Sequence, residues 1–356
     1  MGLNCSAVMS KIPVGILGAT GAVGQRFIQL LADHPWFEIA ELAASDRSAG
    51  KAYRDACTWR LASPVPEAVA RLGVTTCEGP FRSKLLFSGL DSSVAGEVET
   101  ALAGKGHAVV SNSRNHRMDT DVPLLIPEVN PNHLDALAVQ RKRTGGGYIV
   151  TNPNCSVMGL AIALAPLHRS FGVEAVAVVT LQALSGAGYP GVASMDIADN
   201  VVPFIGGGEE EKIETETNKI LGALQGGAVA PHPVAISATT TRVPVHNGHT
   251  GSISIATDQK PDHAAIVDAW NGFRGKPQQM QLPSAPAQPI VFLTEANRPQ
   301  PALDANRDGG MTVSVGRLRA CPVLDYKFVA LGHNTIRGAA GAAVLNAELM
   351  HCEGLL

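Results

Sequence analysis

Cys155 has the setting in this 356-residue chain that points most directly to chemistry. Tyr148–Thr151 reads as a strand, Asn152-Pro153-Asn154 as a turn, and the apolar run from Val157 as a helix. Cys155 therefore falls in a first helical turn. The dipole and free N–H groups there lower a thiol pKa and favour the thiolate. The same N–H groups can hold the oxyanion of an attacked carbonyl. A lone cysteine is more often a small buried hydrophobe, but the Asn-Pro-Asn flank argues against that here. Cys5, Cys57, Cys77, Cys321 and Cys352 have no comparable setting.

A thiolate nucleophile needs a group that moves protons. Among 11 histidines, His249 stands out. It closes Arg242-Val243-Pro244-Val245-His246-Asn247-Gly248-His249, a strand carrying an arginine and running into a glycine turn. His246 is the rival.

A second constellation points to a dinucleotide. The apolar run Ile12–Leu17 leads into Gly18-Ala19-Thr20-Gly21-Ala22-Val23-Gly24, which opens a helix. Glycines let the backbone turn tightly beside a pyrophosphate, and the helix N-terminus offers it N–H donors. The next strand ends at Ala44-Ser45-Asp46-Arg47-Ser48. Ser45, Arg47 and Ser48 suit the 2′-phosphate of NADP, whereas Asp46 leaves room for NAD.

The elements that must position these groups divide the chain in two. Short apolar strands at Ile12–Leu17, Glu38–Ala44, Leu85–Ser88, His107–Ser111 and Tyr148–Thr151 alternate with helices at Gly21–Ala32 and Val94–Ala103. This order predicts a doubly wound parallel sheet, a Rossmann-like α/β domain over 1–154. Longer extended segments follow at Glu174–Leu184, Ile236–Val245, Ser252–Asp258, Val291–Thr294, Val313–Arg319 and Tyr326–Leu331. Helices at Glu209–Ala223 and His263–Phe273 interrupt them. They predict an α+β catalytic and dimerisation domain with a large mixed sheet over 155–334. The Ala-rich helix from Thr335 is expected to pack back on the first domain, so 335–356 complete it.

Composition narrows the function classes. Hydrophobic residues make up 45% and charged residues 17%, and the net charge is −3, which suits a globular enzyme and gives no reason to expect nucleic acid or a membrane as partner. No apolar run reaches membrane-spanning length. Residues 1–10 lack a secretory pattern and read as a frayed leader. No cysteines form a C-x-x-C pair, so neither a metal site nor a redox pair is expected. Free thiols and the cytoplasm follow.

Together these residues resemble aspartate-semialdehyde dehydrogenase, in its archaeal and fungal branch. The resemblance runs from about Lys11 to Leu349. It rests on the glycine loop, Asn154-Cys155-Ser156, Gln182 in Leu181-Gln182-Ala183-Leu184-Ser185-Gly186, Arg242 seven residues before His249, and Glu216-Thr217-Asn218-Lys219. The wording of Ala43–Lys51 and of Arg242–Gly251 carries the branch. The family implies NADPH-dependent reductive dephosphorylation of L-aspartyl 4-phosphate to the semialdehyde and phosphate, on the route to lysine, threonine and methionine.

By the same resemblance, Cys155 forms a thioester and His249 is the general acid/base. Arg242 clamps the substrate carboxylate, and Gln182 and Asn154 sit beside the thiol. Glu209 and Lys212 face amine and phosphate, with Glu210 a rival for Glu209. Arg117 holds phosphate, with Arg114 its rival. Gly18, Thr20, Gly21, Ala22, Val23, Ser45, Arg47, Ser48, Ser88, Ser185, Gly186 and Asn334 are assigned to NADP. A homodimer or homotetramer is expected. N-acetyl-glutamyl-phosphate reductase, malonyl-CoA reductase and a non-catalytic NADP-binding regulator are the alternatives. A free ammonium facing Glu209 argues against the first, and the filled catalytic roles against the last.

Overall fold

The computed structural model describes residues 10–356. The expected leader and Cys5 lie outside the described residues, apart from Ser10.

The first sheet holds β1 (Ile12–Leu17), β2 (Phe37–Ala43), β3 (Val74–Thr75), β4 (Leu85–Ser88), β5 (Ala108–Ser111) and β6 (Tyr148–Thr151), in the order β3-β2-β1-β4-β5-β6. All neighbours are parallel. The strands β4, β5 and β6 are buried throughout, as parallel strands covered on both faces must be. Helices α1 (Ala22–Leu31), α2 (Ser92–Gly104) and α3 (Leu137–Thr144) belong to this half. Parallel order puts every strand's C-terminal end at one edge. The glycine loop, the Ser45 turn and Ser88 all follow from that edge.

Helix α4 (Cys155–Phe171) leaves β6 and passes into the second half. It is apolar on every side and buried along most of its length, including Val157, Met158, Leu160 and Ile162. It packs on the second sheet, against Val176, Val178, Ile253 and Phe328. That sheet joins β7 (Val173–Gln182), β10 (Ala235–Arg242), β11 (His249–Thr257), β12 (Ile290–Leu293), β13 (Val313–Ala320) and β14 (Tyr326–Gly332), in the order β10-β7-β11-β14-β13-β12. It is mixed, with β10–β7 and β12–β13 parallel and the other pairs antiparallel. Helices α5 (Glu209–Ile220) and α6 (His263–Gly272) pack in the same half. The expected helix over Glu209–Ala223 stops at Ile220. Ala223–Gln225 (β8) instead pairs with Ala228–Ala230 (β9) as a hairpin, because Gly226 and Gly227 take the positive φ such a turn needs.

The last segment starts as a π-helical turn, Ile336–Ala340, and continues as α7 (Gly341–Cys352). Ala343, Val344, Leu345 and Met350 join Val14, Ile16, Phe27 and Phe87 in one core, so the chain end covers the first sheet. Cys57, Cys77, Cys155 and Cys321 are free thiols, whereas Cys352 is disulfide-bonded, which corrects the free-thiol expectation there. No described helix is long and apolar enough to cross a membrane.

Arg337 anchors the π turn. Its guanidinium is 1% exposed and donates to Glu128 Oε2 at 2.7 Å. Removing one partner of a buried pair strands the other charge. We expect Glu128→Gln to lower unfolding free energy by about 3–5 kcal/mol in urea titrations. A loss below about 1 kcal/mol would mean that Arg337 finds solvent or another partner.

Candidate active site

Cys155 is the first residue of α4, and the Asn154 side chain caps that helix by accepting from Ser156 N–H at 2.8 Å. Capping explains why the helix starts here. It also places Cys155 at the seam between the two halves.

Three strand ends of the second sheet meet this point. Gln182 ends β7 and pairs in register with Arg242, which ends the parallel β10. His249 begins β11, antiparallel to β7 on its other side. The sheet topology thus brings Gln182 beside Arg242 and His249, 60 and 67 positions further along the chain. Gln182 is buried on the same face of β7 as Thr180.

The backbone of Ala183 orients two of these groups. Arg242 donates to its carbonyl at 2.7 Å, and its N–H donates to His249 Nδ1 at 3.0 Å. Nδ1 is thereby an acceptor, so the neutral ring carries its proton on Nε2. Nε2 lies 3.2 Å from Cys155 Sγ. The general acid/base role expected of His249 therefore starts from a hydrogen-bond donor aimed at sulfur.

The electrostatics differ from the expected thiolate. Burial pushes the Cys155 thiol up to about 12, with the Glu209 carboxylate adding to the rise and Arg117 and Arg242 opposing it. Burial, Arg242 and His333 hold His249 down to about 3. Desolvation outweighs the helix start, so thiol and imidazole rest neutral.

Helix α5 presents the remaining polar groups. Glu209 accepts from Asn154 Nδ2 at 2.8 Å and from Lys212 Nζ at 3.1 Å. Glu210 turns away and accepts from Thr240 N–H at 2.9 Å. Arg117 is buried and pairs with Glu216 at 3.0 Å, whereas Arg114 is exposed and donates to Gly207 O at 3.2 Å. The geometry thus brings Glu209 and Arg117 to the cysteine and leaves their rivals outside.

A cleft of about 280 Å³ beside Cys155 is lined by Ala22, Val23, Arg117, Ser185, Gly186 and Asn334, among others. It joins the glycine loop to Cys155. The loop has the shape of a phosphate cradle: Gly18 has φ +72°, and a Cβ on Gly24 would fall 2.2 Å from Gly18 O. Gly21 brings no side-chain cap to α1, so its first-turn N–H groups face outward for an anion. Thr20 is half-buried in the same turn. Ser45 and Arg47 are exposed in a turn at the end of β2, while Ser48 is buried. Ser88 is fully buried beneath this edge. The glycine loop with Thr20, Ser45, Arg47 and Ser48 fits a phosphorylated dinucleotide, whereas Ser88 presents no surface to one.

Asn334 ties the cleft to the catalytic turn, donating to Ser185 Oγ at 2.8 Å and accepting from Gly248 N–H at 2.9 Å. Gly186 must be small, because a Cβ there would meet His249 Cε1 at 2.9 Å and an Arg242 nitrogen at 3.0 Å. Sequence reasoning gave no role to Glu216, Lys219 or the Ala183 backbone. The first two stood in a quoted motif. Nothing in a sequence marks a main-chain group.

Comparison with known proteins agrees with this arrangement. Residues 13–137 match the family profile "Semialdehyde dehydrogenase, NAD binding domain" and residues 164–337 match "Semialdehyde dehydrogenase, dimerisation domain". The aspartate-semialdehyde dehydrogenase of Methanothermobacter thermautotrophicus is 50% identical over 96% of this chain and 99% of its own length. That of Cryptococcus neoformans is 49% identical over 97% and 98%. The crystal structure of the Candida albicans enzyme, solved with NADP, superposes with TM-score 0.90 at 42% identity, covering 97% of this chain and 100% of that one. With two family profiles covering most of the chain and relatives at half identity over its length, the chain belongs to the aspartate-semialdehyde dehydrogenases.

Proposed function

We propose that this chain converts L-aspartyl 4-phosphate reversibly to L-aspartate 4-semialdehyde and phosphate, using NADPH and a Cys155 thioester, in lysine, threonine and methionine biosynthesis. The observation that carries the reading is Cys155 Sγ, 3.2 Å from His249 Nε2, in a cleft shared with the glycine loop.

Arg242 takes the substrate carboxylate, because a guanidinium matches it in two parallel hydrogen bonds. Glu209 faces the free ammonium. Arg117 and Lys212 take the phosphate, and Gln182 and Asn154 flank the reacting carbon. These anchors hold the acyl carbon against Sγ. The sulfur attacks that carbon, the bond to the phosphate oxygen breaks, and the thiol proton leaves with phosphate. His249 Nε2–H and the first N–H groups of α4 donate to the sulfur and to the carbonyl oxygen as negative charge gathers there.

When bound, NADPH would supply the hydride that reduces the thioester; Gly18, Thr20, Gly21, Ala22 and Val23 would hold it, with Ser88, Ser185, Gly186 and Asn334 nearby and Ser45, Arg47 and Ser48 at the 2′-phosphate. The carbon–sulfur bond of the resulting thiohemiacetal then breaks, and the sulfur regains a proton.

We place the boundary between the cofactor-binding and catalytic halves at Asn154–Cys155, with 335–356 returning to the first. We further infer a homodimer. The open face of the second sheet leaves Val179 44% and Leu181 39% exposed on β7, an apolar surface a second copy would cover. A cytoplasmic location suits an enzyme that depends on a free Cys155 thiol, whereas the disulfide at Cys352 is the feature that stands against a reducing compartment.

Three experiments test this reading. Sustained NADPH formation from aspartate semialdehyde should require phosphate and be abolished in Cys155→Ser; turnover driven by coenzyme A instead would move the chain to another substrate. Iodoacetamide alkylation of Cys155 in the free enzyme should accelerate steadily from pH 6 to 10, following the growing thiolate fraction below a pKa of about 12. A plateau near neutrality would mean a preformed thiolate. Finally, Arg47→Ala should cut the preference for NADP over NAD by roughly tenfold or more, and an unchanged ratio would remove Arg47 from the 2′-phosphate.

A further inference from the structure

Glu216 is 2% exposed, and the reaction sequence above does not use it. It lies on α5 seven residues after Glu209, on the helix face turned to the site. Its two carboxylate oxygens serve different loops. Oε1 accepts from the Arg117 guanidinium at 3.0 Å, and Oε2 accepts from the Asn154 backbone N–H at 2.6 Å. The first loop follows β5 and the second follows β6. Asn154 immediately precedes the nucleophile and caps its helix.

Lys219, one turn further along α5, holds the backbone of the Arg117 loop. Its Nζ donates to the carbonyls of Arg117, Asp119 and Val122 at 2.7, 2.6 and 2.8 Å. Arg117 also donates to Asn112 O at 2.8 Å. One helix therefore fixes the guanidinium, the turn that carries it and the turn that presents Cys155. A buried carboxylate is costly to desolvate and needs good partners. Here both partners belong to the site, so the carboxylate fixes their relative position to within a hydrogen-bond length.

We propose that Glu216 is a positioning residue that couples the phosphate-side guanidinium of Arg117 to the backbone turn presenting Cys155. It touches neither phosphate nor the reacting carbon. It acts through Arg117 and Asn154, and the proposal rests on the assignment of Arg117 to phosphate. Moving either loop by about an ångström misplaces phosphate relative to sulfur, which costs on the order of a hundredfold in comparable cases.

The test compares Glu216→Gln, Glu216→Asp and Arg117→Lys in the full-length enzyme, running from semialdehyde, phosphate and NADP. Glu216→Gln keeps an acceptor for Asn154 N–H and gives up the ion pair. It should raise KM for phosphate roughly tenfold or more and lower kcat, with KM for semialdehyde and NADP within about twofold. Cys155 alkylation should change severalfold in the same variant. Glu216→Asp keeps the charge on a shorter arm and should show the same phosphate-selective defect, smaller in size. This second variant decides the matter if the first does not fold.

A phosphate KM and an alkylation rate both within twofold of the parent would overturn the proposal. So would a loss spread equally over all three substrates, which is the mark of a residue that only holds the fold. Arg117→Lys separates the two layers. If it leaves phosphate KM unchanged, the phosphate assignment of Arg117 fails. If it raises phosphate KM while Glu216→Gln does not, the assignment stands and the positioning role of Glu216 fails.

Discussion

The site depends on one contact, the 3.2 Å approach of His249 Nε2 to Cys155 Sγ at the part-buried seam between the two halves. Burial raises the thiol and depresses the imidazole, so both rest neutral. A neutral pair is far cheaper to bury than an ion pair. The cost is a weaker resting nucleophile. Arg117 and Arg242 already pull the thiol toward ionisation, against burial and Glu209. A substrate whose carboxylate and phosphate occupy those guanidinium groups brings its own electrophilic carbon to the sulfur.

Holding that contact explains the two-sheet architecture. The parallel sheet delivers Cys155, because β6 feeds straight into a helix capped by Asn154. The mixed sheet delivers the ring, because β7, β10 and β11 end or begin at one edge. The Ala183 backbone, between Gln182 and the Ser185 turn, reads out both Arg242 and His249. Helix α5 then seals the flank with Glu209, Lys212, Glu216 and Lys219. The glycine loop and the cysteine share one cleft because the chain end, with Asn334 and the π turn, closes the space between them.

Much of this was legible in the sequence. The strands Ile12–Leu17, Leu85–Ser88 and Tyr148–Thr151 were read to the residue, because short apolar runs bounded by glycine or polar turns leave little choice of limits. His249 stood out with His246 as its rival, and the structure puts His249 against sulfur. Other features were not legible. The helix-start argument predicted a lowered thiol pKa, since a sequence shows the dipole but not the desolvation that overrides it. The choice between Arg114 and Arg117, and between Glu209 and Glu210, turns on which way a loop and a helix face. That orientation is set by tertiary partners such as Gly207 O and Thr240. The hairpin at Ala223–Gln225 follows from the Gly226-Gly227 turn just beyond the expected helix, whereas the π turn at Ile336 lies where the sequence pattern reads as plain helix.

The claim at the centre is that carbon is held on Cys155 between hydride and phosphate transfer. The most direct measurement is mass analysis of enzyme mixed with aspartate semialdehyde and NADP with phosphate left out. The account predicts one aspartyl group per chain, located on the peptide containing Cys155, formed together with one equivalent of NADPH and released on adding phosphate. An equivalent of NADPH with no acyl group on Cys155, or with that group on another residue, would contradict it.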